Sequence, residues 1–193
     1  MRHQGNIQAF VVENVDDPFV VKGIPRPVAG PGHVLVEIQA SGVNPLDLKI
    51  RAGKAEHAKQ SLPAVLGIDL ASILAAVGPG VTEWPTGDEV FDMTGVVGGA
   101  QGSFAHYAAV DASLLDKKPA QLGVFTLLPL LTGVGKAHHG DILRETAKLI
   151  EIGQLRPCVD PDHFNLSSVE QAHARIASSQ GAGKVVVEFV AEH

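Results

Sequence analysis

The stretch HVLVEIQASGV, residues 33–43, places an apolar side chain at every second position. The residues that would share one face are Val34, Val36, Ile38 and Ala40. A period of two is typical of a strand with one face buried in a sheet or barrel. Two shorter runs rich in Val and Ile precede it, IQAFVV at 7–12 and FVVKGI at 19–24, with turn-forming residues between them. The first part of the chain is therefore predicted to be β structure.

The next apolar segment, VLGIDLASILAAVG at 65–78, is long enough for either a curved strand or a helix. The segments that follow, GDEVF at 87–91 and SFAHYAAV at 103–110, favour continued β structure. Both readings of residues 65–78 stay open from the pattern alone.

The period changes near the C-terminus. HGDILRETAKLIEIG, residues 139–153, has an apolar stripe opposite charged residues and a Gly where a helix would end, so it predicts a helix. A second helix is predicted at 167–178, where Ser167 and Glu170 have the spacing of a capping box. GKVVVEFV at 183–190 predicts a final strand. The fold class expected is mainly β with flanking helices, that is α+β.

Composition narrows the function classes. The 193-residue chain has a formal net charge of −6 and no basic run, which argues against a nucleic-acid partner. Its single cysteine, Cys158, rules out an internal disulfide and fits a reducing compartment. No apolar run is long enough to cross a membrane and the start does not resemble a secretory signal. We therefore expect a cytoplasmic protein without a membrane partner.

The glycine and histidine patterns do not predict a nucleotide-binding loop or a metal site. GVVGGAQG at 95–102, GVGKAHHG at 133–140 and GAGKV at 181–185 do not have the spacing and context of a dinucleotide or Walker loop, and they read better as turns. Adjacent residues His138 and His139 would point about 100° apart on a helix, so they do not favour a shared metal ligand set. No metal site is predicted.

The segment around Gly123 breaks the pattern. Turn chemistry stops at KPAQLG and an apolar run, VFTLLPLL at 124–131, begins abruptly after it. This discontinuity indicates that something is missing near Gly123.

Four segments, taken in order, resemble the medium-chain dehydrogenase/reductase superfamily, and most closely its zinc-independent quinone oxidoreductase and enone reductase branch. The segments are PRPVAGPGHVLVEIQASGVNPLDLKIRAG (25–53), LPAVLGIDLASILAAVGPGVTEWPTGDEVF (62–91), GGAQGSFAHYAAVDASLLDKKPAQL (98–122) and LRPCVDPDHFNLSSVEQAHARIASSQGAGKVVVEF (155–189). The resemblance implies a GroES-like catalytic domain, which is a partly open β-barrel.

The resemblance also explains the discontinuity near Gly123, because a Rossmann domain is inserted into the catalytic domain in this superfamily. Residues 1–193 would then form a single GroES-like domain, assembled from 1–122 and 124–193 around a deleted nucleotide-binding domain with its junction near Gly123. An engineered deletion is the leading explanation, and a natural truncation is the alternative.

Zinc-dependent members of the superfamily differ from this chain at their metal ligands. They carry a Cys where this chain has Asn44, and a Gly-His-Glu where it has Gly67, Ile68 and Asp69. An amide and an alkyl side chain do not replace a thiolate and an imidazole as ligands. Catalysis without zinc is therefore expected.

The implied chemistry is hydride transfer from NADPH to a small-molecule quinone or enone. By resemblance, Asn44 and Lys49 are the candidate catalytic residues, and Asn44, Pro45, Asp47 and Lys49 would border the nicotinamide end of the cofactor. The residues also have a simpler interpretation, in which Pro45 and Asp47 start a helix and Lys49 is solvated. Without a Rossmann domain the chain is expected to be inactive and to bind no cofactor tightly.

An alternative from a different class is a stand-alone GroES-like binding module that associates with itself. The apolar run at 124–131 would be partly exposed by the deletion, and exposed apolar patches promote association. A homodimer is the partner that this alternative implies.

Overall fold

The computed structural model describes residues 5–94, 99–117 and 136–189. The predicted junction near Gly123 and the apolar run at 124–131 lie outside these residues. Ten strands and three α-helices are present in the described ranges. The strands are β1 Asn6–Val12, β2 Phe19–Pro25, β3 His33–Gly42, β4 Ala64–Val65, β5 Asp69–Val77, β6 Glu89–Met93, β7 Tyr107–Asp111, β8 Asp116–Lys117, β9 Phe164–Asn165 and β10 Val186–Glu188. The helices are α1 Pro45–Arg51, α2 Lys136–Glu151 and α3 Val169–Ala177.

The strands form two sheets. The smaller sheet has the order β2-β1-β4, and the larger one has the order β8-β6-β5-β3-β10-β9 with β7 also paired to β3. All pairs are antiparallel except β10 with β9. The predicted class, mainly β with flanking helices, is confirmed.

Strand β3 lies at the centre of the larger sheet, where it pairs with β5, β7 and β10. The predicted buried face is correct for Val34, Val36 and Ile38, which are at most 2% exposed. Ala40 is only half-buried, because the register with β5 shifts between Ile38 and Ala40. Such a bulge interrupts the strict alternation of a strand.

Residues 65–78, for which strand and helix were both open, contain the last residue of β4 and all of β5. Strand β5 pairs with β3 on one side and β6 on the other, and its side chains Leu70 and Leu74 are buried in the main core. An apolar strand in the middle of a covered sheet loses the clean polar alternation that would have identified it.

The two predicted helices near the C-terminus are present. Gly153 has φ +73 and its N–H reaches Ile150, while the N–H of Gln154 reaches Leu149, so the predicted glycine cap of α2 is confirmed. The predicted capping box of Ser167 and Glu170 is wrong, because Ser168 is the N-cap of α3 and makes no side-chain cap hydrogen bond there. The capping box that forms belongs to the 3₁₀ turn Leu166–Ser168, directly before α3. The side chain of Asn165 accepts the N–H of Ser167, and the Ser168 hydroxyl accepts the N–H of Asn165.

Glu170 is not free to cap α3 because its carboxylate has long-range partners. It accepts the backbone N–H of Phe19 at 2.7 Å and pairs with the Arg51 guanidinium at 3.0 Å. This contact joins α3 to the start of β2 and to the end of α1.

The C-terminal segment completes the larger sheet. Val186, Val187 and Glu188 of β10 face Gly42, Ser41 and Ala40 of β3, and the N–H of Val43 donates to the carbonyl of Val185 at 3.0 Å. Residues far apart in sequence thereby meet at the end of β3. Within the described ranges, no helix combines the length and the apolar character needed to cross a membrane.

Candidate functional site

Asn44 occupies the turn between β3 and α1. Its backbone is extended, with φ −122 and ψ 150, and Pro45 follows at the first helical position, where its missing N–H costs nothing. The backbone N–H of Asn44 donates to Oδ2 of Asp47 at 2.8 Å. The local sequence Asn-Pro-Leu-Asp therefore starts the helix and fixes the backbone of Asn44.

The side chain of Asn44 belongs to a buried polar cluster with Asp69 and Lys184. Its Nδ2 donates to Oδ2 of Asp69 at 3.0 Å, and its Oδ1 accepts from Nζ of Lys184 at 2.6 Å. The Lys184 Nζ also lies 2.6 Å from Oδ2 of Asp69. The cluster thus joins the turn after β3 to the start of β5 and to Lys184, which lies two residues before β10.

Burial strengthens the charged hydrogen bonds of this cluster. The Asp69 side chain is fully buried, Asn44 is 4% exposed, and the Lys184 side chain is 17% exposed. A charged hydrogen bond removed from water is stronger than the same bond at the surface. The amide, the carboxylate and the ammonium therefore form one unit, and Lys184 is its most accessible member.

Asp47 lies beside this cluster with its carboxyl inside the protein. Oδ1 accepts the N–H of Gly67 at 3.1 Å, and Oδ2 accepts the N–H of Asn44. Burial raises the pKa of Asp47 to about 7, against the opposing effect of these two N–H donors, and the charge of Asp69 adds to the rise. The structure therefore assigns Asp47 to holding α1 against the turn at Gly67.

Buried hydroxyls fix the main chain under the cluster. Ser41 and Ser103 both donate to the carbonyl of Asp69, at 3.1 and 2.9 Å, and Thr94 donates to the carbonyl of Gly67 at 2.8 Å. Gly67 has φ +94, and a Cβ there would come 2.4 Å from the Ser103 hydroxyl. A glycine is required at this turn for both reasons.

Pro45 and Lys49 lie at the exposed surface of α1. The structure thus brings together two of the four predicted residues, Asn44 and Asp47, and leaves the other two facing solvent. Whether Lys49 contacts a cofactor or is only solvated stays a prediction.

Lys184 is the member of the cluster that the sequence pattern did not identify. It lies in GAGKV, which reads as a turn, and nothing in the local sequence points to Asn44, 140 positions earlier. Only the pairing of β10 with β3 brings it there.

The donor set does not suit zinc. Where zinc-dependent relatives would supply thiolate and imidazole, the chain has the Asn44 amide and the buried side chain of Ile68. In the described ranges no group of three or more His, Cys, Asp or Glu side chains is arranged to hold a metal ion.

Residues 30–120 match the alcohol dehydrogenase GroES-like domain. Together with the relatives and the solved structure below, this match supports a fragment of the quinone oxidoreductase type from the medium-chain dehydrogenase/reductase superfamily. This confirms the resemblance carried by the four sequence segments, and the GroES-like domain accounts for the central sheet around β3.

Two of the relatives that the chain matches are oxidoreductases. The chain is 34% identical over 119 residues to a quinone oxidoreductase from Lama guanicoe, an alignment that covers 60% of this chain and 34% of the relative. It is also 34% identical over 117 residues to a chloroplastic NADPH-dependent alkenal/one oxidoreductase from Arabidopsis thaliana, covering 58% of this chain and 30% of the relative. The chain thus matches about a third of the length of these relatives.

The fold is that of an alcohol dehydrogenase superfamily protein from Novosphingobium aromaticivorans. The two structures superpose with a TM-score of 0.88 at 27% identity, and the alignment covers 95% of this chain and 100% of that one. The architecture is therefore shared well beyond residues 30–120.

Proposed function

We propose that the chain is the catalytic domain of an NADPH-dependent quinone or enone oxidoreductase that transfers hydride without zinc. The observation that carries the proposal is the buried cluster of Asn44, Asp69 and Lys184. By resemblance, zinc-dependent relatives carry a Cys at the position of Asn44 and the Glu of Gly-His-Glu at the position of Asp69. The quinone and alkenal/one oxidoreductase relatives support the substrate class.

The residues fit the nicotinamide end of the cofactor. The Asn44 amide and the Lys49 ammonium can hydrogen-bond a carboxamide, a ribose hydroxyl or the oxygen of a carbonyl substrate. NADPH, when bound, supplies the hydride. The protein groups would orient the acceptor and stabilise charge on its oxygen.

The roles of the four predicted residues then differ. Asn44 and Lys49 are the proposed catalytic residues, with Pro45 beside them on the exposed side of α1. Asp47 is 0% exposed, so it acts by fixing the backbone of Asn44 and not by touching the cofactor.

The site for the nucleotide half of NADPH would lie in a domain that the chain lacks. We propose that 1–122 and 124–193 flank the position of a deleted nucleotide-binding domain and that the chain alone is inactive. The short coverage of the curated relatives, about a third of their length, supports this.

The test compares the chain with a chimera that carries the nucleotide-binding domain of a medium-chain relative between Leu122 and Val124. NADPH fluorescence should show no saturable micromolar binding to the chain, whereas the chimera should bind NADPH and oxidise it in the presence of a quinone or an enone. A chimera that binds NADPH but reduces neither acceptor would overturn the proposed function. Micromolar binding by the chain alone would overturn the missing cofactor site.

Lys49 is tested in the same chimera. Lys49→Met should lower kcat, and Lys148→Met, at a 63% exposed side chain of α2, is the matched control. Unchanged turnover of Lys49→Met would show that Lys49 is only a solvated surface residue.

An exposed apolar edge favours the second candidate, a self-associating module. Strand β2 lies at the edge of the smaller sheet, and its Val20 and Val21 are 41% and 53% exposed. Sedimentation over a range of protein concentrations would detect a dimer, and Val21→Lys should return it to monomer. A monomer at all concentrations would leave no support for this candidate.

A further inference from the structure

The carboxamide of Asn44 lies between two opposite charges. Its oxygen accepts from the Lys184 ammonium at 2.6 Å, and its nitrogen donates to the Asp69 carboxylate at 3.0 Å. The same ammonium and carboxylate pair with each other at 2.6 Å. The three groups therefore close a triangle in which each contact joins a donor to an acceptor.

Only one orientation of the amide satisfies this triangle. Rotating the carboxamide by half a turn would place its oxygen against the Asp69 carboxylate and its NH₂ against the Lys184 ammonium. Ammonium has no acceptor and an ionised carboxylate has no donor, so both hydrogen bonds would become repulsions. With Asn44 4% exposed, water cannot readily replace the lost partners.

Hydrogen bonds also fix the backbones of the two charged residues, Asp69 and Lys184. The carbonyl of Asp69 accepts from the hydroxyls of Ser41 and Ser103. The backbone of Lys184 is tied on both sides, since its N–H donates to the carbonyl of Cys158 at 2.8 Å and its own carbonyl accepts from Asp160 at 3.0 Å. The frame around the amide is therefore rigid before any ligand arrives.

We propose that Asp69 and Lys184 are positioning residues that fix the orientation of the Asn44 carboxamide. The consequence for catalysis rests on the proposed function, in which Asn44 meets a carbonyl-bearing acceptor or the nicotinamide carboxamide. A fixed amide presents the same polarity to every ligand, which lowers the reorganisation needed during the reaction. Neither positioning residue needs to touch the reacting atoms.

Nuclear magnetic resonance of the ¹⁵N-labelled chain tests the orientation without a cofactor. The side-chain NH₂ signals of Asn44 are assigned by their loss in Asn44→Ala. Asn14 is an internal reference, because its Nδ2 also donates to a carboxylate, that of Asp17, but at an exposed site. We expect the Asn44 NH₂ to exchange with solvent roughly tenfold or more slowly than that of Asn14.

Variants then separate the charge from the fold. Lys184→Met should shift the Asn44 NH₂ signals and accelerate their exchange roughly tenfold, Lys184→Arg should retain slow exchange, and Lys148→Met should change nothing. The backbone amide of Val43, which donates to Val185, reports whether β3 and β10 remain paired. Unchanged Asn44 signals in both Lys184→Met and Asp69→Asn, with this pairing intact, would overturn the proposal.

The wild-type comparison requires no variant, so it can overturn the fixed orientation even if Lys184→Met does not fold. Exchange of Asn44 as fast as that of Asn14 would overturn the fixed orientation. The chimera distinguishes the two proposals: a fixed amide in an inactive chimera contradicts the proposed function alone. An active chimera whose Asn44 signals ignore Lys184 contradicts the positioning role alone.

Discussion

Asp47 is the residue in which structural and electrostatic effects oppose each other most directly. Its carboxyl is fully buried, yet it is the acceptor for two backbone N–H groups, those of Asn44 and Gly67. Burial disfavours the ionised form, and the two donors and Lys184 favour it. Burial prevails, so the pKa of Asp47 rises from 3.8 to about 7.

This shift predicts how stability depends on pH. The Asp47 carboxyl is protonated to a greater extent in the folded protein than in the unfolded chain between about pH 4 and pH 7. The contribution of Asp47 to stability is therefore present at low pH and is lost as pH rises through that window. The loss amounts to roughly 4 kcal/mol at 1.36 kcal/mol per unit of pKa. In urea unfolding at pH 4, 5.5 and 7, the free energy of unfolding of the wild type minus that of Asp47→Asn should fall with rising pH.

Asp162→Asn, at a 56% exposed carboxylate, is the control and should leave the pH slope unchanged. A difference between wild type and Asp47→Asn that stays constant or increases with pH would contradict the assignment.

His173 carries the opposite pH dependence. It is 2% exposed, and its ring packs against Phe19 and Phe104 at centroid distances of 4.6 and 5.5 Å. Neither ring nitrogen has a hydrogen-bond partner among the described residues. Burial, followed by the charge of Arg51, lowers the pKa of His173 to about 4, although Glu170 acts in the other direction.

Because the unfolded chain binds the proton more readily, the stability associated with neutral His173 is present above about pH 6.5 and is lost as pH falls towards 4. We expect His173→Leu to remove up to roughly 3 kcal/mol of this acid sensitivity. Urea unfolding at pH 4.5 and pH 7 measures it, with His163→Leu at an 85% exposed side chain as control. Equal acid sensitivity in wild type and His173→Leu would refute the interpretation.

Residues with local roles were predictable from the sequence, and residues with distant partners were not. Pro45 at the start of α1 and Gly153 at the end of α2 follow from rules that involve a few neighbours. Lys184 could not be found this way, since its partners Asn44 and Asp69 come from other strands. The family resemblance located Asn44, but it did not reveal what holds its side chain.

At the scale of elements, the turn at Gly67 links three parts of the site. Gly67 precedes β5. Its carbonyl accepts a hydrogen bond from the Thr94 hydroxyl, and its N–H donates one to the Asp47 carboxyl. The strand β5 was ambiguous in the sequence because it is covered on both sides, and the cap of α3 was misassigned because Glu170 is engaged by β2 and α1. In both cases a tertiary contact outweighed a local pattern.

A matched pair of glycine variants measures how tightly this turn is packed. Gly67 and Gly80 have similar backbone angles, φ +94 and +84, but a Cβ would meet the Ser103 hydroxyl at 2.4 Å in the first case and open space in the second. Gly80→Ala should lose roughly 1 to 2 kcal/mol from backbone strain. Gly67→Ala should lose roughly 1 to 3 kcal/mol more from overpacking.

Chemical denaturation of both variants checks the difference between them. Equal losses would show that the neighbours of Gly67 yield without cost, and the turn would then not constrain the site.

At the scale of the whole molecule, the two sequence segments on either side of Gly123 are interleaved. Strand β10 pairs with β3, the N–H of Phe189 donates to the carbonyl of Gln39 at 2.7 Å, and Glu170 reaches Phe19 and Arg51. Val185 and Val187 are fully buried in the same core as β3. The second segment therefore shares one core with the first, and this supports the proposal of a single domain around a deleted insertion.

This interleaving predicts that the chain can be cut at the proposed junction. Residues 1–122 and 124–193, co-expressed as separate chains with a tag on one, should copurify as a folded complex, because the contacts between them do not require the covalent link. Val187→Asp in the second segment should abolish copurification by burying an unpaired charge beside β3. Glu188→Gln, at the adjacent exposed position, should not. If the two segments are each folded and soluble but do not associate, they are separate domains. That result would contradict the proposal of one domain around a deleted insertion.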